Sequence, residues 1–333
     1  MPGVAALAKQ LGVDHKAVQA AMCLLEKEGV LAGQGPGRNR RIVAPSGKTA
    51  RPTRIAILPY DPSDQFSTCI VELQHALAEA GHTVIMAGKS LIALRMDTAR
   101  IARLVKQTDA DAWIVQAGSR EVLQWFAAQS APAIALFGRR EGIPIAATGP
   151  DTHTACAIAT RRLITLGHRR IVMLCRAERR KPGPGLTERA LLEELTANGI
   201  PTSDYNLPDW EETREGFQLL LASLFCITPP TALIIGSCEL FAATQQFLAK
   251  RGIRVPEQVS LICFDSDASF DWCMPSIAHV RLEIAPVVRR LAQWATNVSR
   301  GHEDVTQTST LTEFIPGGTI GPAPTSGQMP RPS

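Results

Sequence analysis

Nowhere does this 333-residue chain reach the ~18 consecutive apolar residues that a membrane-spanning helix needs, which argues against an integral helical membrane protein. Its first residues, MPGVAALAKQLGV, lack the basic segment, apolar core and cleavage site of a secretory leader. A cytoplasmic location is therefore expected, and a secreted solute receptor is disfavoured. Paired cysteine motifs are missing as well. The eight cysteines are scattered, none forms a CxxC, and most sit in apolar runs, the pattern of reduced buried thiols rather than of a disulfide frame or metal site. There is no GxSxG elbow, no HExxH, no phosphate-binding GxxxxGK[ST] loop and no GxGxxG following a strand. The chain accordingly reads as a non-enzyme, with no catalytic residue, cofactor or metal expected.

What is present is a folded composition, 45% hydrophobic and 20% charged, long enough for two or three domains. Charge is unevenly placed. Up to Arg54 there are nine Lys and Arg against three acids, while the whole chain sums to only +4. A basic end on a near-neutral body is the footprint of contact with a polyanion. Val4 to Leu11 reads as a short amphipathic helix, Gly12-Val13 as a turn, and Asp14 as the cap of a second helix, His15 to Glu28. Val18, Met22 and Leu25 share one face of it. Gly29 ends that helix, and Val30-Leu31 and Arg41 to Val43 flank the turn GQGPGRNR as a hairpin. Two helices joined by a short Gly-containing turn are a helix-turn-helix signature. A small protein-interaction hairpin with solvated charges is the alternative.

The stretch LAKQLGVDHKAVQAAMCLLEKEGVLAGQGPGRNRRIV resembles a GntR-type winged helix. The resemblance implies that residues 1–43 are a DNA-binding domain. His15, Lys16 and Gln19 would face the major groove, where Lys and Gln can read guanine and adenine edges. Arg38, Arg40 and Arg41 on the wing would meet phosphates or the minor groove. Winged helices of this type carry one more helix before VAALAKQL, and the domain is expected to lack it.

Residues 44–53, rich in Pro, Gly, Ser and Thr, read as a linker. Beyond it strands and helices alternate. Strands are expected at Arg54 to Leu58, Thr83 to Ala87, Ala112 to Val115, Ala133 to Phe137, Arg170 to Cys175, Ala232 to Ile235, Val259 to Phe264, Ile277 to Leu282 and Leu311 to Ile320. Helices such as Phe66 to Ala80, Asp151 to Leu166 and Leu240 to Arg251 fall between them. This is the pattern of an α/β fold with parallel sheets, whose ligands bind beyond the carboxyl ends of the strands. The polar clusters Ser237-Cys238-Glu239 and Asp265-Ser266-Asp267 stand at two such ends. The run Arg176 to Lys181 reads as a solvated basic loop, and His168 as a packing residue at a helix stop. Residues 323–333 are expected to be a disordered tail.

Several passages carry a second resemblance: PTALII, a helix, then GIRVPEQVSLICFDSD; the text LITLGHRRI after a helix opened by Asp151; and the ending TEFIPGGTIG. Over residues 54–322 the chain resembles the lactose-repressor family, whose effector domain shares the fold of periplasmic sugar-binding proteins. The resemblance implies a two-subdomain, periplasmic-binding-protein-like (type I) body. Its N-subdomain would be about 54–167 plus 282–300, and its C-subdomain about 168–281 plus 301–322. It also implies a homodimer on a double-stranded DNA operator, most simply a repressor, controlled by a small-molecule effector that is a sugar or related metabolite. The implied effector contacts are Tyr60, Asp61, Phe66, Asp151, Arg189, Trp210, Glu239 and Asp265. Asp265 fits the family's ligand-contacting Asp, whereas Cys238 stands where the family has Asn. Two other readings stay open: a regulator whose body only dimerises, and a solute-binding protein that touches no DNA.

Overall fold

The computed structural model describes residues 4–27, 31–32, 41–42 and 52–325. The chain divides into two compact units, one of Met1–Pro52 with Ser299–His302, the other of Thr53–Val298 with Glu303–Ser333. In the first unit α1 (Val4–Leu11) and α2 (His15–Lys27) precede β1 (Leu31–Ala32), which pairs antiparallel with β2 (Arg41–Ile42). Asp14 caps α2 by accepting the Lys16 amide at 3.1 Å. The expected apolar face is there: Val18, Met22 and Leu31 are buried, with Val4, Leu7 and Leu25 packed beside them. Arg38 and Arg40 lie outside the described residues, as does the side chain of Arg41.

The second unit holds a ten-stranded sheet. Its elements are β3 (Arg54–Leu58), α3 (Thr68–Glu79), β4 (Thr83–Met86), α4 (Thr98–Gln107), β5 (Ala112–Gln116), α5 (Arg120–Ala127), β6 (Ala133–Leu136) and β7 (Ala146–Asp151). Then come α6 (Thr152–Thr165), β8 (Ile171–Leu174), α7 (Ala177–Arg180), α8 (Leu186–Ala197), α9 (Arg214–Ile227), β9 (Ala232–Ile235), α10 (Cys238–Lys250), β10 (Ser260–Cys263), β11 (Ala278–Leu282), α11 (Ile284–Ser299) and β12 (Gln307–Ile315). Strand order is β4-β3-β5-β6-β7-β12-β11-β10-β9-β8, and every neighbouring pair is parallel except β11 with β12.

Both faces of the sheet are covered, so its strands read as continuous apolar runs. Successive residues serve opposite cores because side chains alternate. In the first lobe Ile55 and Ile57 pack under α3 and α11, against Leu73, Leu77, Leu291 and Trp294. Ala56 and Leu58 pack under α4 and α5, against Ile101, Leu123 and Phe126. In the second lobe Ala232 and Ile234 face α6 and α8 through Cys156, Leu163, Leu191 and Leu195. Leu233 and Ile235 face α9 and α10 through Phe217, Leu221, Phe241 and Leu248. Thus α6 contributes to the core of the second lobe and α11 to that of the first.

The chain passes between lobes after Asp151, between β11 and α11, and within β12. Residues Gln307–Leu311 of β12 pair with β7, and Thr312–Ile315 pair with β11. Two details differ from expectation. Strand β7 was not foreseen, since Ala, Gly and Pro fill it; its flanking strands impose the extended form. The last strand begins and ends earlier than expected, because its polar first half, Gln307 to Thr310, pairs with β7. His168 is fully buried. Its ring nitrogens lie 3.0 Å from the Thr231 hydroxyl and the Gly321 carbonyl oxygen, with the Ser260 hydroxyl 3.1 Å away, as a packing role requires.

Candidate functional site

The carboxyl ends of β3, β5 and β6 in the first lobe face those of β8, β9 and β10 in the second. The loop after β3 offers Tyr60 and Asp61, then a 3-10 turn at Pro62–Phe66 that Asp61 caps by accepting the Ser63 amide at 2.9 Å. The loops after β5 and β6 are bent by backbones that side-chain-bearing residues seldom adopt: Ala117 has φ 49° and Phe137 φ 65°. Gly138, at φ 78°, lies so close to Gly118 that a Cβ there would come within 2.6 Å of the Gly118 oxygen. That close approach sets up Arg139. It reaches into the second lobe, donating from Nε to the Glu178 carbonyl and from Nη2 to the Gly183 carbonyl, both at 2.6 Å. Beside it the Tyr60 hydroxyl donates to Glu178 Oε2 at 3.0 Å, and the Arg176 guanidinium lies 5.5 Å from the Tyr60 ring centre.

Acidic groups crowd this meeting of loops. Burial, followed by neighbouring Glu178, pushes the Tyr60 phenol well above its ordinary range. Burial raises Asp64, and Asp61 and Glu239 add to it. Burial among protein atoms also raises Asp265, although its surface stays exposed, and Glu239 and Asp267 add to that. Glu212 is raised by burial and by Glu178. Asp61 behaves oppositely: burial opposes ionisation, but the Ser63 hydrogen bonds outweigh it and hold the carboxyl low. Arg176 is desolvated too, yet Tyr60 and Glu239 keep it firmly charged. Arg179 sits over the Phe264 ring at 5.9 Å and donates from Nε to the buried Glu188 at 2.7 Å. Among the described residues the rest of that guanidinium makes no further hydrogen bond. Two buried acceptors near these strand ends, Gln116 Oε1 and Ser237 Oγ, have no partner among the described residues. Carboxylates that accept, guanidiniums that donate and the Tyr60 and Phe264 rings together suit a small polar ligand rich in hydroxyls.

Of the residues singled out by sequence, Tyr60, Asp61, Glu239 and Asp265 belong to this cleft. Phe66 ends the 3-10 turn and is 78% exposed. Asp151 caps α6, accepting the Thr154 hydroxyl at 3.0 Å. Arg189 is exposed, because α8 buries Thr187, Glu188, Ala190, Leu191 and Leu195 and so turns Arg189 outward. Trp210 packs on Phe217, ring centres 5.1 Å apart, and donates its indole N–H to the Cys175 carbonyl at 3.0 Å. The run Arg176 to Lys181, expected as a solvated loop, instead contains the short helix α7. Arg180 there is only 6% exposed, pairs with Asp209 and donates to the Cys175 carbonyl at 2.9 Å. Arg139, Arg176, Glu178 and Arg179 also lie at this cleft, and sequence reasoning did not single them out. The one available signal was position, since each follows the end of an apolar run.

In the head, His15, Lys16 and Gln19 are exposed on the first turns of α2. Among the described residues no group of three or more His, Cys, Asp or Glu could hold a metal ion, and no helix is long and apolar enough to cross a membrane. Two surface pockets lie elsewhere, about 320 Å³ beside α4 and about 490 Å³ between α9 and α10. Across the cleft itself, Arg139 and Tyr60 reach from the first lobe to the second.

Residues 160–320 match the family model described as a periplasmic binding protein-like domain. The chain is similar to the HTH-type transcriptional regulator GalS of Salmonella typhimurium, 24% identical over 286 residues, which covers 84% of this chain and 81% of that protein. Among solved structures, a LacI family transcriptional regulator from Enterococcus faecium with bound ribose matches with a TM-score of 0.65 at 18% identity, over 81% of this chain and 99% of the other. A periplasmic binding protein/LacI transcriptional regulator from Alkaliphilus metalliredigens, complexed with D-xylulofuranose, matches with a TM-score of 0.63 at 13% identity, over 80% and 99%. The fold of the body is the two-lobed, periplasmic-binding-protein-like type I fold.

Proposed function

We propose that this chain is a sequence-specific DNA-binding transcriptional regulator of the lactose-repressor type, whose body binds a sugar or related metabolite between its lobes. The observation that carries the reading is the facing of strand ends across the cleft, bridged by Tyr60 and Arg139. A ligand there competes with those bridges and alters how far the lobes close. It shifts the closure equilibrium only by its differential affinity for the two states. Asp61, Glu239 and Asp265 accept from ligand hydroxyls, Arg176 and Arg179 donate to ligand oxygens, and the Tyr60 face packs on a sugar ring. The relatives with bound ribose and D-xylulofuranose support the ligand class.

The head reads DNA as a winged helix of GntR type, with His15, Lys16 and Gln19 of α2 toward base edges and Arg38, Arg40 and Arg41 toward phosphates. The exposed helix face in the described part of the head and the basic charge before Arg54 support this. Two copies act together, so that lobe closure resets the spacing of two heads on their half-sites. Trp272 and Met274, 91% and 98% exposed, supply apolar surface for that homodimer.

The test is binding of the full chain to its own promoter by fluorescence anisotropy, with a panel of monosaccharides and disaccharides added. One sugar should change operator affinity and raise the thermal midpoint, with two chains per DNA by light scattering. Asp265→Ala should abolish the rise in midpoint while leaving basal DNA binding intact. A sugar-induced rise that survives Asp265→Ala would remove this loop from the site. Binding that shows no preference for the promoter over random duplex would end the regulator reading.

A further inference from the structure

We propose a second ligand site, on the outer face of the first lobe: the pocket of about 320 Å³ lined by Lys89, Leu94, Arg100, Arg103, Leu104 and Gln107 binds a small phosphorylated anion. Helix α4 places Arg100, Arg103 and Gln107 at i, i+3 and i+7, one face of a helix, and the loop before it brings Lys89 to the same recess. The nearest ion-pair partner is Asp97, 3.9 Å from the Arg100 Nε. Its carboxylate is already engaged as the cap of α4, accepting the Ala99 and Arg100 amides at 2.8 and 3.0 Å. Arg103 makes one long hydrogen bond, 3.4 Å, to the Ala99 carbonyl. Three cations line one recess and Asp97, which faces Arg100 and Arg103, is the acid beside them, so the recess keeps an excess of positive charge for a bound anion to meet. Guanidinium forks suit phosphate oxygens in particular. Leu94, 4% exposed, and half-buried Leu104 give the pocket the apolar wall that small-molecule sites need.

The loop that lends Leu94 to the pocket wall has an unusual backbone just beyond it. Arg95 and Met96 are consecutive non-glycine residues with φ of 56° and 52°. Such backbone persists only where its surroundings hold it, and it collects at ligand clamps. The anchors here are the Leu91 amide on the Pro59 carbonyl at 2.9 Å and the Ile92 amide on the Tyr60 carbonyl at 3.0 Å. The loop behind the pocket is thus tied to the backbone of Tyr60, whose ring lines the cleft. An anion at Lys89, Arg100 and Arg103 braces that backbone from outside. This site does not depend on what the cleft binds.

Inorganic pyrophosphate is the probe. Isothermal titration of the full chain, with ionic strength held constant by sodium chloride, should show saturable binding and a raised thermal midpoint. Losing a charge-assisted hydrogen bond weakens binding about tenfold. Lys89→Ala should therefore lose about tenfold, and Arg100→Ala with Arg103→Ala about a hundredfold. All three side chains are exposed, so the variants should keep the wild-type circular dichroism spectrum. No saturable binding to the wild type overturns the site. So does binding that is equal in wild type and the double variant, which would put the anion elsewhere, for example on the basic head.

Discussion

Removing Arg139 should open the cleft, and the size of the effect can be worked from its two bonds. A hydrogen bond from a charged donor contributes ~1.5–3 kcal/mol net, so two fully sheltered ones would contribute at least ~3 kcal/mol. Arg139 is half-buried, and water competes for its guanidinium, which reduces the pair to about 2 kcal/mol. That is roughly thirtyfold in the equilibrium between closed and open lobes. Arg139→Ala should therefore raise the radius of gyration in small-angle scattering and speed amide exchange across residues 178–183. Arg139→Lys keeps the charge but loses the two-pronged geometry, and should fall between. Each lobe has its own two-sided core, so the thermal midpoint of the body should move much less than the exchange rates do. If Arg139→Ala leaves both scattering and exchange as in the wild type, the lobes are held together by something other than this bridge, and the closure argument fails.

Two further outcomes concern the frame around the cleft. Burial lowers the pKa of His168, with the Gly321 carbonyl opposing, so the folded value lies below the unfolded ~6.5. The unfolded chain then binds more protons just below that pH. Stability from this residue is whole above about 6.5 and drains away as pH falls beneath it; in His168→Gln the slope of midpoint against pH between 5 and 7 should flatten. Asp304 is 7% exposed, holds Arg290 at 2.7 and 2.9 Å, and accepts from Asn297 at 2.9 Å. Asp304→Ala strands a nearly buried guanidinium and should cost ~3–5 kcal/mol in urea unfolding, whereas a loss below about 1 kcal/mol would show that the site relaxes.

The strands were legible because both faces of the sheet are buried. RIAIL, ALII and SLIC cannot sit on a surface, and each is a strand. What escaped was structure imposed from outside. Ala146 to Asp151 has little intrinsic strand preference and is extended only because β6 and β12 flank it. At the cleft, the placement of Asp265 and Glu239 was legible, as acids just past apolar runs. Arg176 and Arg179 were hidden in a basic run whose charge suggested solvent, and Arg180 beside them proved buried. Burial of the Arg180 guanidinium depends on carboxylates far away in sequence, Asp209 and Glu212. Arg189 shows the reverse: its residue type fitted the expected role, but the helix face it occupies was decided by the aliphatic residues around it.

Strand β12 has one more consequence. Because Leu311 is the last residue aligned with β7 and Thr312 the first aligned with β11, one continuous backbone sets the alternation of side chains in both halves of the molecule. A single residue added or removed at that junction would leave the part of the strand paired with β7 in place. It would also turn every later side chain of the strand to the wrong face. The register of one lobe is thereby tied, residue for residue, to that of the other.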